Sequence, residues 1–239
     1  MTDAELVAAI KRFQSEIELT ANHRYRVRIN GAWQWAEGTT TVIKNLSKGD
    51  ALVDWAARLA AASGDPRAHT KVRDDASDKG TNLHAIFERE GRLMRGEPVG
   101  PMPPATEDEL MALARGQKWA RESEFRPLAE EFRVYHVGLN YAGTVDMLGY
   151  VRGQLVVLDW KTAAKPYPEH YLQSAAYRTA LAVMVGIDPP AGHIVRFPRD
   201  GDTYSEWPVK VALDDTQRAF EALLYLHKWQ RMVKKGEAA

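Results

Sequence analysis

The sequence predicts an α/β protein in which a mixed sheet, centred on an antiparallel meander, is flanked by helices and preceded by an N-terminal helical extension. Three observations predict it. Three strand-like runs, EEFRVYHVGL, YAGTVDMLGYV and QLVVLDWK, follow one another between Glu130 and Lys161 with only turn residues between them. On both sides of that stretch apolar residues recur at helical spacing. A chain of 239 residues, 45% of them hydrophobic, is enough for one substantial core and too short for a string of domains.

The elements can be justified in order. Leu6, Ile10, Phe13 and Ile17 place a helix over residues 3 to 20, and RYRVRING with AWQWAEGTTTVI alternates at period two around Gly31, which predicts a hairpin. Ser47 and Asp50 precede ALVDWAARLAAA, closed by Gly64-Asp65-Pro66, a capped helix. Asp74, Asp75 and Ser77 start a helix over 75–95 whose apolar stripe is Leu83, Ile86 and Phe87 and which carries His84. The proline-rich EPVGPMPPATEDE is a surface loop, and its TEDE end caps the helix ELMALARGQKWARES. The meander turns at Asn140 and at Arg152-Gly153. Beyond it come a helix from about Pro168 to Val185, two strands around Asp200-Gly201, and the C-terminal helix DDTQRAFEALLYLHKWQRMVKK. Residues 1–97 form the hairpin and helical region and 98–239 the core, together one structural unit.

Composition narrows the chemistry. The absence of cysteine removes thiolate zinc sites, iron–sulfur clusters and disulfides, leaving carboxylate and imidazole as ligands, which suit Mg²⁺ or Mn²⁺. Lysine plus arginine equals aspartate plus glutamate at 32 each, so any contact with nucleic acid depends on local clustering. The stretch from Lys44 to Arg73 holds six basic residues against three acidic ones, which also suits a solvated surface. No run of eighteen apolar residues predicts a membrane span, and MTDAELVAAI lacks the basic-then-apolar pattern of a leader, so a cytoplasmic setting is expected.

Asp159 and Lys161 lie two apart on a strand, so both leave the same face while Trp160 points to the other. A hairpin closing at Arg152-Gly153 sets Asp146 opposite Asp159 on the neighbouring strand. Both acids interrupt apolar runs, where a charge is unfavourable unless paired or bound to metal. A salt bridge of Lys161 with either acid explains these three residues equally well. Gln173 and Tyr177 share one helix face, and a lone histidine such as His84 on an apolar helix is more often structural than ligating.

The strings GTNLH, GTVD, VVLDWKT and QSAAY, in that order, change the balance. The chain resembles the RecB-like branch of the PD-(D/E)XK nucleases, and within it the mitochondrial genome maintenance exonucleases and their phage-encoded relatives, over residues 40 to 232. The resemblance implies a restriction-endonuclease-like core and a divalent metal held by His84, Asp146, Asp159 and the main-chain carbonyl of Trp160. It implies that Lys161 orients the attacking water and stabilises the pentacovalent phosphate, that Gln173 and Tyr177 support Lys161 or touch the scissile strand, and that Thr162 completes the motif. Relatives often carry a glutamate at the position of Glu131, and Glu88 lies one turn after His84; either could assist through water, and a structural role is the commoner reading for both. The iron–sulfur subgroup of the branch is excluded by the missing cysteines.

The implied substrate is DNA, with single-stranded ends favoured. Trp33, Trp35 and Trp55 are available for stacking or for the core, and Lys44, Lys48, Arg67, Lys71 and Arg73 for the strand's backbone. The implied partners are recombination or replication proteins in a phage or bacterial setting. An inactive DNA-binding scaffold of the same fold, an endonuclease and a nuclease acting on RNA remain as alternatives.

Overall fold

The computed structural model describes residues 1–46, 50–161, 165–198 and 203–236, apart from the side chains of 50–53, 55, 56, 69 and 72–81. The first helix, α1 (Asp3–Gln14), starts from a capping box between Thr2 and Glu5. The expected helix over 3 to 20 is in fact two elements, because Ile17 opens the short strand β1 (Ile17–Leu19), opposite Val27. Its spacing from Phe13 fits a helix, but pairing with the next strand buries it to 2% exposure, and that burial decides. The hairpin β2 (Tyr25–Ile29) and β3 (Ala32–Gly38) turns at Asn30-Gly31, where both residues adopt the positive φ that a type I′ turn demands.

The TTTVI run, expected to continue the hairpin, forms the short helix α2 (Thr39–Ile43). Its β-branched residues favour a strand locally, yet a helical turn buries Thr39, Val42 and Ile43 together and lets the Thr39 hydroxyl donate to the carbonyl of Ala142 at 2.9 Å. Next come α3 (Asp50–Ser63) and α4 (Ala68–Met94), the latter starting seven residues earlier than expected. The proline-rich loop ends at α5 (Glu107–Glu122), capped by Thr106 and Glu109.

The meander is present as β4 (Arg126–His136), β5 (Tyr141–Val151) and β6 (Gln154–Lys161), and the β5–β6 turn uses Arg152 and Gly153 at positive φ. A crossover through α6 (Pro168–Val185) leads to β7 (Ala191–Arg196), parallel to β6; β8 (Ser205–Pro208) pairs antiparallel with β7, and α7 (Leu213–Lys235) follows, closed by Gly236 at positive φ. The strands form one mixed sheet in the order β1-β2-β3-β5-β6-β7-β8, with β4 beside β5. One face carries α1, α2, α6 and α7 around Ile10, Val145, Leu148, Ala176 and Phe220. The other carries α4 and α5 around Phe87, Trp119, Met147, Leu158 and Trp160. No helix among the described residues is long and apolar enough to cross a membrane.

The sheet forks along β5. With β4 occupying one edge of β5 throughout, β3 takes the other edge at Tyr141 and Ala142, and β6 takes that same edge from Met147 onward. Residues 143–146 therefore lie where two partners part. There Val145 and Leu148 join one core and Met147 and Val151 the other, so the alternation of faces slips by one residue beside Asp146. Across from it, between the pairs Glu130↔Met147 and Phe132↔Val145, Glu131 has a φ of +44°. Irregularities of this kind re-aim side chains that a regular strand would commit to one face.

Candidate metal centre

The fork collects the polar side chains. Asp146 accepts a hydrogen bond from the Trp160 backbone N–H through Oδ2 at 2.9 Å, so beyond the last β5–β6 pair its carboxylate takes the place of a β5 backbone carbonyl. Its other oxygen, Oδ1, stands 3.7 Å from His84 Nδ1, which also lies 3.4 Å from Glu131 Oε1. His84 arrives on α4, held by the packing of Leu83, Ile86 and Phe87 on the opposite face of the sheet from α6. His84, Glu131 and Asp146 each offer a ligand atom within 4.8 Å of the others.

Asp159 and Lys161 share a face of β6, as their spacing requires, and Lys161 Nζ donates to Asp159 Oδ1 at 2.7 Å. From α6, Gln173 brings Oε1 to 3.5 Å from Lys161 Nζ, and its amide donates to the Tyr177 hydroxyl at 3.1 Å. Tyr177 reaches this depth because residue 143 of the GTVD motif is glycine: a Cβ there would collide with its ring. The hydroxyl of Tyr25 meets Thr144 at 2.9 Å, closing the fork from the hairpin side.

The charges are strongly perturbed. Burial raises the Asp159 carboxyl, and its neighbour Asp146 adds to the rise, against the pull of Lys161. Burial works against the Lys161 ammonium, but the carboxylates of Asp159 and Asp146 outweigh it and hold its pKa above the ordinary lysine value. Burial likewise opposes the His84 imidazolium, and Asp146 with Glu131 overrides it, raising its pKa to about 9. Burial also lifts Tyr177 well above the usual phenol range, so it serves as a hydrogen-bonding group and not as an anion.

One atom is left over. Asp159 Oδ2 is buried and has no hydrogen-bond partner among the described residues, an expensive state for a carboxylate oxygen. An unsatisfied carboxylate oxygen whose neighbour Asp146 belongs to a cluster with Glu131 and His84 fits a hard divalent cation. The Trp160 carbonyl leaves its strand on the same edge as the N–H bound by Asp146, which turns it toward this cluster.

The structure thus gathers His84, Asp146, Asp159, Lys161, Gln173 and Tyr177, with the backbone of Trp160. It leaves Lys71 apart: exposed in the first turn of α4, it lies thirteen residues before His84, about 20 Å along the helix axis. Thr162 and the side chains of Arg73 and Trp55 fall outside the described residues. Glu131, more readily read from sequence as structural, stands with its carboxylate against His84; the spacing of EEF could not have revealed this, because it depends on a positive φ.

Comparison with known proteins bears on the fold and its chemistry. The family profile of the PD-(D/E)XK nuclease superfamily matches residues 102–237. The chain belongs to this superfamily. This PD-(D/E)XK nuclease is 35% identical to mitochondrial genome maintenance exonuclease 1 of Xenopus tropicalis over 95 residues, covering 31% of this chain and 27% of that protein. It is 41% identical over 59 residues to the proteins of the same name from Mus musculus and Homo sapiens, covering 22% of this chain and 18% and 17% of theirs. The nuclease therefore spans about a quarter or less of the curated relatives it matches. It also aligns with the crystal structure of SSO0001 at a TM-score of 0.37 and 11% identity, over 95% of this chain and 86% of that one.

Proposed function

We propose that this nuclease is a divalent-metal-dependent deoxyribonuclease acting as an exonuclease on single-stranded DNA ends in replication, recombination or repair, alongside proteins of those processes. The observation that carries the proposal is the orphaned Asp159 Oδ2 in a fork that also holds Asp146, His84 and Lys161. His84, Asp146, Asp159 and the Trp160 carbonyl, with Glu131 as a further donor, would hold Mg²⁺ or Mn²⁺. Such an ion supplies Lewis acidity toward the phosphate and favours ionisation of water.

The chain's own residues do the rest. Lys161, kept as an ammonium by its two carboxylate neighbours, donates to the attacking water or to a phosphate oxygen and offsets charge that develops on it. Gln173 positions Lys161 from α6, and Tyr177 fixes Gln173 in turn. Phe87, Trp119 and Phe197 pack against Trp160 and hold the strand that presents all three site residues of β6.

Replacing Asp159 or Lys161 by alanine is expected to reduce Mg²⁺-dependent cleavage of end-labelled linear single-stranded DNA at least about a hundredfold, the scale of electrostatic contributions at such centres. Undiminished cleavage by both variants would reject the assignment. A circular single strand tested beside the linear one should survive; its degradation would make the enzyme an endonuclease.

A further inference from the structure

We infer that the outer face of the β2–β3 hairpin, at its Arg24–Trp35 end, is a docking platform for single-stranded DNA separate from the metal centre. This rests on the nuclease reading and assigns that activity a second point of contact with its substrate.

The register of the hairpin sets Arg26 opposite Trp35 and Arg28 opposite Trp33. Arg24, two residues before Arg26, stands with them, so one sheet face shows three guanidinium groups and two indoles. The pieces are stacked on each other: Arg24 lies 4.0 Å from the centre of the Trp35 ring, and Arg26 and Arg28 lie 4.9 and 4.7 Å from that of Trp33. The opposite face, with Tyr25, Val27 and Ala36, is already buried in a core of its own. The hairpin is thus secured from within, yet Trp35 remains 51% exposed.

Charge picks out one end of the face. Glu18 takes Arg26 at 2.6 Å and Glu16 approaches Arg28 at 3.7 Å. Arg24 has no carboxylate partner among the described residues. Beside it a groove of about 350 Å³ is walled by His23, Arg24, Trp35, Glu37, His227 and Arg231. Its one acid, Glu37, is engaged by Arg231 and by His227 at 3.2 Å. The groove therefore offers an accessible aromatic plane with a cation on it, and its one acid is already neutralised. Those are the demands of a nucleotide in an unpaired strand: a base free to stack and a phosphate to be neutralised. A duplex hides its base faces and has no use for the indole. The platform connects with the fork through Thr39, which bonds Ala142, and Tyr25, which bonds Thr144 two residues before Asp146.

Fluorescence anisotropy of a labelled oligodeoxythymidylate tests the inference, using the full chain carrying Lys161→Ala in Mg²⁺ so that the strand survives. Adding Trp35→Ala should weaken binding at least about fivefold, the lower range for loss of one base–aromatic stack, while Trp35→Phe restores most of it. Adding Arg24→Gln should lower the slope of log affinity against log salt by about 0.7. Binding unaffected by both Trp35→Ala and Arg24→Gln would overturn the platform, as would equal dependence on Trp35 for a blunt duplex. Arg24 lies on the exposed face of the hairpin, outside its buried core, so Arg24→Gln decides the matter even where Trp35→Ala unfolds. A wild-type chain without metal-dependent cleavage would instead overturn the nuclease reading.

Discussion

Tyr177 and residue 143 fill one space between them, and only a glycine leaves enough of it for the ring. A Cβ at residue 143 would also stand 3.1 Å from the Thr39 hydroxyl, so the side chain has no open direction to take. Gly143→Ala is expected to lower stability by about 1–3 kcal/mol through overpacking, read as a drop in melting temperature. An unchanged melting temperature would show that the ring has room to retreat. A second residue-scale effect lies away from the fork, at Glu206, which Arg152 grips through two hydrogen bonds of 3.0 Å. Burial raises the Glu206 carboxyl, but Arg152 outweighs burial and holds its pKa below the ordinary glutamate value. A depressed carboxylate contributes stability above its unfolded pKa and loses it as pH falls through the folded one. Glu206→Gln should therefore be less stable than wild type at neutral pH and converge with it in acid below the ordinary glutamate range. A gap that persists unchanged into acid would assign the loss to packing instead.

At the level of elements, α5 tests how much a cap contributes in this fold. Thr106 and Glu109 exchange hydrogen bonds of 3.3 and 2.9 Å at its start, and Glu109 is buried there. Thr106→Ala is expected to cost about 0.5–2 kcal/mol in a denaturant titration and to leave cleavage intact, since α5 carries no residue of the fork. That helix was legible in the sequence because cap and apolar period agreed. The meander was legible too: Arg152-Gly153 can form a tight turn, and the turn fixes the register that faces Asp146 toward Asp159. Where local and tertiary preferences disagree the sequence misleads, as at Ile17 and at TTTVI, whose strand and helix are decided by burial. The place of Glu131 was hidden for a different reason. The slip of alternation beside Asp146 is a property of three strands competing for one, and no single run of residues encodes it.

For the whole molecule, the fork is the point where two cores meet through the sheet and where charge is concentrated without full compensation. Glu131 and Asp146 converge on His84, Asp159 pairs with Lys161 beside Asp146, and Asp159 Oδ2 keeps no hydrogen-bond partner among the described residues. On the proposed reading, this local cost is what a preformed cation site requires. A divalent ion that binds this arrangement and not the unfolded chain must stabilise the fold by mass action, by about 2.7 kcal/mol at a hundred times its dissociation constant. In a chain of this size each kcal/mol moves the melting temperature by about 2–4 °C, so saturating Mg²⁺ or Mn²⁺ should raise it by roughly 5–10 °C, and EDTA should reverse the rise. Asp146→Asn supplies the control. Its amide oxygen can still accept from the Trp160 N–H, so the fork keeps its shape, but with one carboxylate gone the metal-induced shift should largely vanish while the metal-free protein melts at or above the wild-type temperature. If neither ion shifts the wild-type melt, or if Asp146→Asn responds as fully as wild type, the carboxylates of the fork are structural charges and the metal centre does not exist.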